Sequence, residues 1–569
     1  MGMDTKFTAP PAPLLVPDGP DPKSMPDARA FPTLDEQELS HFRSLATIER
    51  LEDQQFAFKA GAADIDFFIV ETGQLDVLNP TDDNRKIVSH LPGQFVGDID
   101  LLTRRPVIVS ARAHGPTTVL RVPGEKLRTL LNTVPNLSDK LLIAFQVRRQ
   151  LLQKSGKLGL RIIGPGVCGD TNIVREFLHK NFVPFIWLDT QTAEGRAAQI
   201  ALNRGTKTPL IHCGDGSVLV CPTLRELARA VGVLPDCHNQ ELDLAIIGAG
   251  PGGMAAAVYA ASEGLKTSVF DRMGPGGQAG GSSKIENFIG FPAGLSGTEL
   301  ATRSVLQMMK FGAQLFAPIS VMELIPAKNE DEPHQLRLDC GAIIRAYVVL
   351  IASGVTWRRL TVPGAEKFER HGIYYACTSV EVKSHENTEV AVVGGGNSAG
   401  QAAMFLAENC AKKVHLLVRR ADLTQGMSSY LANRVLSTPK ITVHFSTEVA
   451  EVHGDQRINS IDVIDNTTKE KTQLNCTAIF VFIGAEPHGK WLPESIARDE
   501  LGYLLTGTDV AKSGKWPLPH RDPCPLETTM PRVLAAGDIR AGSTKRVGFA
   551  VGDGSFAVTC THRLRTLRV

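Results

Sequence analysis

The chain has 569 residues, far more than one hydrophobic core accommodates, so roughly three to five domains are expected. Hydrophobic residues make up 43% of it, aromatics only 6%, and 52 glycines fit a soluble α/β protein whose phosphate turns and close helix–sheet contacts use glycine. A net charge of +1 gives no electrostatic support for nucleic acid as a partner, and no uncharged apolar run reaches bilayer length, so a cytoplasmic protein without a membrane span is expected.

The first 33 residues are proline-rich, carry no signal-peptide pattern and read as a disordered arm; Lys6 stands where a myristoylation signal has Ser or Thr. Residues 34–155 hold short alternating runs such as DFFIVETGQLDVL and RKIVSHL between Gly, Pro and Asn turns, predicting a β-roll. The amphipathic stretch LSDKLLIAFQVRRQLLQKSG predicts a closing helix that ends in a Ser-Gly-Lys hinge. Residues 158–236 then alternate strand and helix: LRIIGPG, TNIVREFLHKNF, PFIWLDT, TPLIH and PTLRELARAVGV make a small α/β module. The polar link PDCHNQELD leads into the last unit.

From 242, LDLAIIGAGPGGMAAAVYAASEGLKTSVFD reads as a buried strand, a turn with Gly248, Gly250 and Gly253, a helix of small residues and a second strand ending in Asp271. Gly248 makes the tight turn, Gly250 lets backbone approach a pyrophosphate, and Gly253 lets helix pack close to sheet. The helix N-terminus faces the phosphates and Asp271 faces a ribose diol. EVAVVGGGNSAGQAAMFLAENCAKKVHLLVRR repeats the pattern with Gly394, Gly396 and Ala399 at the motif positions and Asn397 and Ser398 between them. At the end of its second strand Arg419 and Arg420 replace the acid. Two guanidinium forks there suit a 2′-phosphate and favour NADPH over NADH; the plain alternative is a pair of solvated surface arginines. One acidic and one basic ribose position imply two nucleotides, FAD first and NADPH second.

In this region the chain resembles the low-molecular-weight thioredoxin reductases. GPGGQAGGSSKIENFIGFP, with Gly276, Gly277, Gln278, Glu286 and Asn287, resembles that family's flavin-contacting segment, and LIASGVTWRRLTVPG, with Ala352 and Gly354, its passage into the inserted NADPH domain. PRVLAAGDIRAGSTKRVGFAVGDGS resembles the closing flavin motif, with Gly537, Asp538, Lys545, Arg546 and Val547; Lys545 and Arg546 stand for an Arg–Gln pair. The resemblance implies an FAD domain in two parts, 242–360 and 488–569, an NADPH domain over 361–487, a hinge near 355–365 and 485–490, and a homodimer. It breaks where thiol chemistry belongs. The family's C-x-x-C positions fall on Ala376 and Ser379, the acid after them on Val380, a histidine on Val418, and none of the ten cysteines forms such a pair. Cys377 is one residue off register and reads as a small buried side chain.

CGDTNIVREFLHKNFVPF and Thr208–Pro209 resemble glutaredoxin's active-site turn and facing cis-proline loop, with Cys168 as the nucleophile position at a helix N-terminus that favours the thiolate and Thr171 for the second cysteine. The alternative is a docking domain in which Cys168 is incidental. FFIVETGQLDV and LPGQFVGDIDLLTRRPVIVSARA resemble the cyclic-nucleotide-binding roll, with Gly97 and Asp98 in the phosphate cassette. Val107 occupies the place of the phosphate-binding arginine, so cyclic nucleotide binding is not expected unless Arg104 or Arg105 reaches in. The expected function is NADPH-dependent hydride transfer to FAD and onward to a thioredoxin-like, glutaredoxin-like or small disulfide acceptor, to Cys168, or to a quinone or oxygen. The other reading is a flavin-bearing redox sensor acting through a degenerate roll. No metal site is expected.

Overall fold

The computed structural model describes residues 28–566 apart from 81–83, 98, 104, 156–158, 167, 203, 214–215, 235–239, 283 and 378–384. Between Thr47 and Val122, strands form two four-stranded antiparallel sheets. The run Phe67–Val70 is buried throughout, because Phe67 and Ile69 face the helical side while Phe68 and Val70 face the interior of the roll. A short helix, α1 (Asp100–Thr103), sits in the cassette. The long α2 (Pro135–Ser155) covers the sheet with Leu137, Leu141, Ala144 and Phe145, one face at helical spacing.

The second module orders its strands β2-β1-β3-β4, with β1 (Leu160–Ile163) parallel to β2 (Phe185–Leu188) and antiparallel to β3 (Leu210–His212), which pairs with β4 (Val218–Val220). Helix α3 (Gly169–Lys180) follows β1, and α5 (Leu224–Ala230), started by a Thr223–Glu226 capping box, closes the unit. Two elements are absent from the sequence reading: α4 (Ala193–Leu202), whose mostly exposed alanine-rich surface shows no apolar stripe, and the three-residue β4. The Thr208–Pro209 bond is cis, as the resemblance to glutaredoxin implies.

The largest sheet runs β7 (Gln314–Phe316), β6 (Thr267–Phe270), β5 (Glu241–Ile247), β8 (Ile343–Ile351) in parallel, and β16 (Val533–Ala535) pairs with the end of β8. Helices α6 (Pro251–Ser262) and α9 (Val547–Thr566) lie together on one face, while α7 (Gly297–Lys310) packs on α6 and gives Leu306 to the core of the roll. A second parallel sheet, inserted in the chain between β8 and β16, orders β10 (Ile373–Tyr374), β14 (Ala478–Val481), β11 (Glu389–Val393), β12 (Lys413–Leu417) and β13 (Ile441–His444), with α8 (Asn397–Asn409) after β11. The chain passes between the two sheets at β9 (Val355–Trp357) and β15 (Ala485–Pro487), and these two crossings pair antiparallel with each other.

Candidate dinucleotide cavity

The first glycine turn joins β5 to α6. Gly248 has φ +107°, and a Cβ on it would stand 2.4 Å from the Ala352 carbonyl oxygen. Gly250 caps α6 and Pro251 is its first residue, where a missing N–H costs nothing. A Cβ on Gly253 would lie 1.9 Å from the Gly248 carbonyl oxygen, so helix and turn touch backbone to backbone. Gly277, at φ +54°, backs onto Gly250 at 2.8 Å measured in the same way.

Asp271 follows β6 as expected, and its carboxylate already holds three backbone groups. It accepts from Ala249 N–H at 2.9 Å, Met273 N–H at 2.9 Å and Gly274 N–H at 2.8 Å. The acid therefore fastens its strand end to the glycine turn, with lone-pair capacity left for one further donor.

At the far end, Gly537 N–H donates to Asp553 (3.0 Å), which Arg540 grips through Nε and Nη2 at 3.0 and 3.1 Å. Burial pushes the Asp538 carboxyl above its usual range, opposed by the Lys545 charge. Lys545 itself donates to the Tyr503 hydroxyl and lies 4.1 Å over that ring.

The second turn repeats the construction. Gly394 has φ +141°, with the Phe482 carbonyl oxygen 2.5 Å from its would-be Cβ; Gly396 caps α8, and Ala399 is fully buried. Asn397 accepts from Ser428 N–H at 2.8 Å. Val418 is buried, and a Cβ on Gly395 would meet its methyl at 3.0 Å, so the residue in the histidine position is core. Arg419 and Arg420 are exposed just beyond β12. The Arg420 guanidinium reaches Gly426, which abuts the Gly395 carbonyl oxygen, so this arginine overhangs the turn.

The first turn and the start of α8 after the second open on one cavity of about 820 Å³, lined by Gly248, Gly250, Asp271, Gly277, Gln278, Asn287, Ala352, Gly354, Gly537, Asp538, Lys545, Arg546, Val547, Asn397 and Ser398; Gly253, Gly394, Gly396, Ala399, Arg419 and Arg420 are not part of its lining. Gln278 donates to the Val355 carbonyl at the crossing. A small cavity of about 50 Å³ beside it is bounded by Gln278, Ser282, Trp357, Cys377, Ser398 and Gln401, so the buried Cys377 sits between the two dinucleotide units. Ala376 lines both cavities; Ser379 and Val380 lie outside the described residues. Helix α3 of the small module forms a further wall, with Asn172, Arg175, Glu176 and His179. Sequence reasoning misses that wall, because nothing in the spacing of TNIVREFLHK says what its polar face meets.

The N-terminal candidates are arranged differently. Cys168 is the half-buried N-cap of α3, and the neighbouring turn is pinned to the second sheet's domain where Asn172 Nδ2 donates to the Arg370 carbonyl at 2.8 Å. Thr171 is fully buried against Gly164. In the roll, Gly97 has φ +142° and its carbonyl accepts from Arg148 Nη1 at 2.6 Å; Asp98 and Arg104 lie outside the described residues. Val107 is buried in the roll's core. Arg105 is buried and donates through Nη1 to the Asn181 carbonyl of the small module at 2.5 Å. It is drawn there because residues 181–182 form a turn whose carbonyls lack helical partners. Arg149 makes a buried pair with Asp100 at 2.7 Å and donates to the Phe182 carbonyl at 3.2 Å. Asn181 Nδ2 in turn donates to Met273 O at 2.8 Å, two residues from Asp271.

Comparison with known proteins agrees with this geometry. A sequence model of the family described as "Pyridine nucleotide-disulphide oxidoreductase" matches residues 242–554, and one described as "Cyclic nucleotide-binding domain" matches 48–134. The chain is 30% identical to an NADH dehydrogenase of Bacillus subtilis over 60% of its length and 62% of that protein's. It is 31% identical to a thioredoxin reductase of Treponema pallidum over 56% of its length and 95% of that protein's. The chain thus spans about three fifths of the length of the first curated relatives it matches. The crystal structure of Lactococcus lactis thioredoxin reductase is similar with a TM-score of 0.51 and 26% identity, over 57% of this chain and 99% of that one. No helix among the described residues is long and apolar enough to cross a membrane.

Proposed function

This chain belongs to the pyridine nucleotide-disulphide oxidoreductase family, whose model covers more than half of it, and we propose that it is an NADPH-dependent FAD oxidoreductase that delivers electrons without a C-x-x-C pair. The family is one of FAD- and NAD(P)H-binding oxidoreductases. The observation that carries the reading is the one cavity shared by the first glycine turn and by Asn397 and Ser398, which follow the second.

The residues fit the two dinucleotides. Side chains at Gly248, Gly253, Gly277 or Gly394 would collide with neighbouring backbone and force the turns open, and the N-termini of the two helices that follow the turns, which carry no side-chain cap, suit a pyrophosphate. Gly248, Gly250, Gly253 and Asp271 would hold the adenosine half of FAD. Gly277, Gln278, Asn287, Ala352, Gly354, Gly537, Asp538, Lys545, Arg546 and Val547 would hold the rest. Gly394, Gly396, Asn397, Ser398 and Ala399 would take the NADPH pyrophosphate, and Arg419 and Arg420 its 2′-phosphate. When both are bound, dihydronicotinamide supplies a hydride that the flavin ring accepts. The protein positions them: Asp271 keeps the turn closed, and the paired crossings at 355–357 and 485–487 set the angle between the two sheets.

In this reading the units are 34–155, 158–236, 242–360 with 488–569, and 361–487. The acceptor is a disulfide, either external or formed at Cys168, or a quinone. Self-association is supported by Tyr259, Phe549 and Phe556, large apolar side chains exposed on the adjoining helices α6 and α9. A redox-sensor reading has one observation in its favour, the chain of contacts from cassette residue Arg105 through Asn181 to Met273 beside Asp271.

The test is anaerobic titration of the purified protein. Flavin absorbance should bleach with NADPH at far lower concentration than with NADH, and reoxidation should follow addition of one acceptor class. A colourless protein that takes up no flavin ends the reading, and a Cys168→Ser variant with full disulfide-reducing activity removes Cys168 from the route.

A further inference from the structure

Helix α3, about 18 Å long, belongs to the small module, yet its two ends are fastened to different dinucleotide domains. The same device serves at each end. The Asn172 amide donates to Gly166 O of its own module at 2.9 Å and to Arg370 O of the second dinucleotide domain at 2.8 Å. The Asn181 amide donates to Phe177 O at 2.9 Å and to Met273 O of the first dinucleotide domain at 2.8 Å.

The two anchorages differ in depth. Asn181 is buried, Phe182 lies in the core of the first dinucleotide domain, Met273 packs in return against the small module's core, and His179 Nε2 lies 3.3 Å from Thr298 Oγ1 on α7. That end is a root. The other end rests on an exposed turn of the second domain: Asn172 is half-buried, Gly169 lies against Glu369 and Arg370, and the Arg370 N–H donates to Ile373 O at 3.1 Å, closing the turn that receives the amide. Asn172 is itself held in place, because its Oδ1 accepts from Arg175 Nη1 at 2.9 Å and the Arg175 guanidinium stacks 3.8 Å over the Trp187 ring.

We propose that α3 is a strut that sets the second dinucleotide domain against the first, with Asn172 as a positioning residue for hydride transfer, a role that rests on the NADPH–FAD reading. The chain joins the two domains through β9 and β15, three residues each, which form a two-stranded ribbon too short to be stiff by itself. A contact at the surface, from the Tyr430 hydroxyl to Glu286 Oε2 at 3.2 Å, also links them directly. The strut adds an attachment rooted in a third unit. Asn172 lines the large cavity together with Asn397 and Ser398, so the arrangement it holds is the one in which the first glycine turn and the start of α8 face a common space. Released, the second domain swings on the ribbon and that space opens, while Asn397, Ser398, Arg419 and Arg420 travel with their domain and keep their own arrangement.

The test compares Asn172→Asp and Asn172→Leu with the parent protein. Both are close to asparagine in size and neither donates to Arg370 O, so agreement between them excludes an effect of charge, and thermal melts establish that each is folded. Hydrogen–deuterium exchange of the full-length protein is read by mass spectrometry at 355–358 and 484–488, segments that contain neither partner of the bond. Both variants are expected to exchange several-fold faster there as well as at 168–173 and 369–373. In anaerobic stopped flow, flavin reduction by NADPH is expected to be roughly tenfold slower with the half-saturating NADPH concentration unchanged, because misplacing bound reactants slows the step without weakening their binding. Faster exchange confined to 168–173 and 369–373 would make Asn172 a local contact, with the ribbon and Tyr430 holding the angle, and would overturn the proposal. A raised half-saturating concentration at an unchanged rate would overturn it too, by placing Asn172 in the nucleotide site instead. The exchange arm is read equally on protein that holds no flavin, so it judges the strut even where the cofactor reading fails.

Discussion

The two halves of this chain treat inherited ligand positions in opposite ways. In the C-terminal half, the places where a dinucleotide would lie remain open: glycines line the turns, helix ends point inward, and Arg419 and Arg420 stand in solvent. In the N-terminal half, the equivalent places have become internal contacts. Val107 is core, Arg105 and Arg149 are bonded to the 181–182 turn, Arg148 is bonded to three carbonyls, and Thr171 is sealed against Gly164. A charged or polar group that no longer meets a ligand must find a partner inside the protein or be expelled, because burying it alone costs several kcal/mol. The N-terminal half therefore reads as a built-in brace, and the C-terminal half as the machine it braces.

The largest effect that separates the halves is expected at Gly253. Gly253→Ala drives a methyl to within 1.9 Å of the Gly248 carbonyl oxygen, backbone against backbone, so α6 has to leave its turn. A cost on the order of 5 kcal/mol, with loss of bound flavin, is expected from overpacking where nothing flexible can yield. Visible absorbance and a thermal melt check it; a yellow, stable variant would mean that the turn is not the tight cradle described.

Why that cradle is legible and the brace is not follows from range. Gly248, Gly250, Gly253 and Asp271 sit within one βαβ unit, where strand, turn and helix periods can be read together, and the cis Thr208–Pro209 and the helix after Cys168 are equally local. Arg105 and Asn181 are joined across domains, and α3 walls a cavity built mostly from segments beyond 248. No local period encodes such meetings. Helix α4 is missed for the opposite reason: it is local, but largely exposed and without an apolar stripe.

Acid should attack the C-terminal half through His334. Its ring accepts from Ala327 N–H at 3.1 Å and donates to the Pro531 carbonyl at 3.1 Å; burial, then the Arg532 charge, lowers its pKa from 6.5 to about 3. Above pH 6.5 neither state binds the proton and the stability is whole. Between 6.5 and about 3 the unfolded chain takes up a proton that the folded chain refuses, so stability falls with pH by roughly 1.4 kcal/mol per unit, to a total of roughly 5 kcal/mol. Melting temperatures measured from pH 8 to pH 4 should show this slope, and His334→Gln should flatten it.

The brace is tested at Arg149. Arg149→Met takes from the buried Asp100 carboxylate its Arg149 partner and is expected to cost about 3 kcal/mol, read as early melting of the roll while the flavin spectrum is unchanged. Pairing it with Asp100→Leu should recover most of the loss, since a packed apolar pair does not need the ion pair. Early flavin release in the single variant would show that the brace extends to the cofactor, through Phe182 in the first dinucleotide domain's core.

The smallest effect bears on which nucleotide the open half accepts. Arg419 and Arg420 are exposed, so a phosphate contact there is screened and worth about 1–2 kcal/mol, less than a buried pair. Arg420→Ala should raise KM for NADPH roughly 5- to 30-fold with kcat unchanged, because such a contact binds ground state and transition state alike. Arg419→Ala should do less, since Arg420 is the one that overhangs the turn at Gly395 and Gly426. NADH lacks the 2′-phosphate and should be indifferent to both changes, and added salt should weaken NADPH selectively in the parent protein. If NADH and NADPH weaken together, the arginines shape the turn rather than read the phosphate, and the preference for NADPH falls while the two-nucleotide cavity stands.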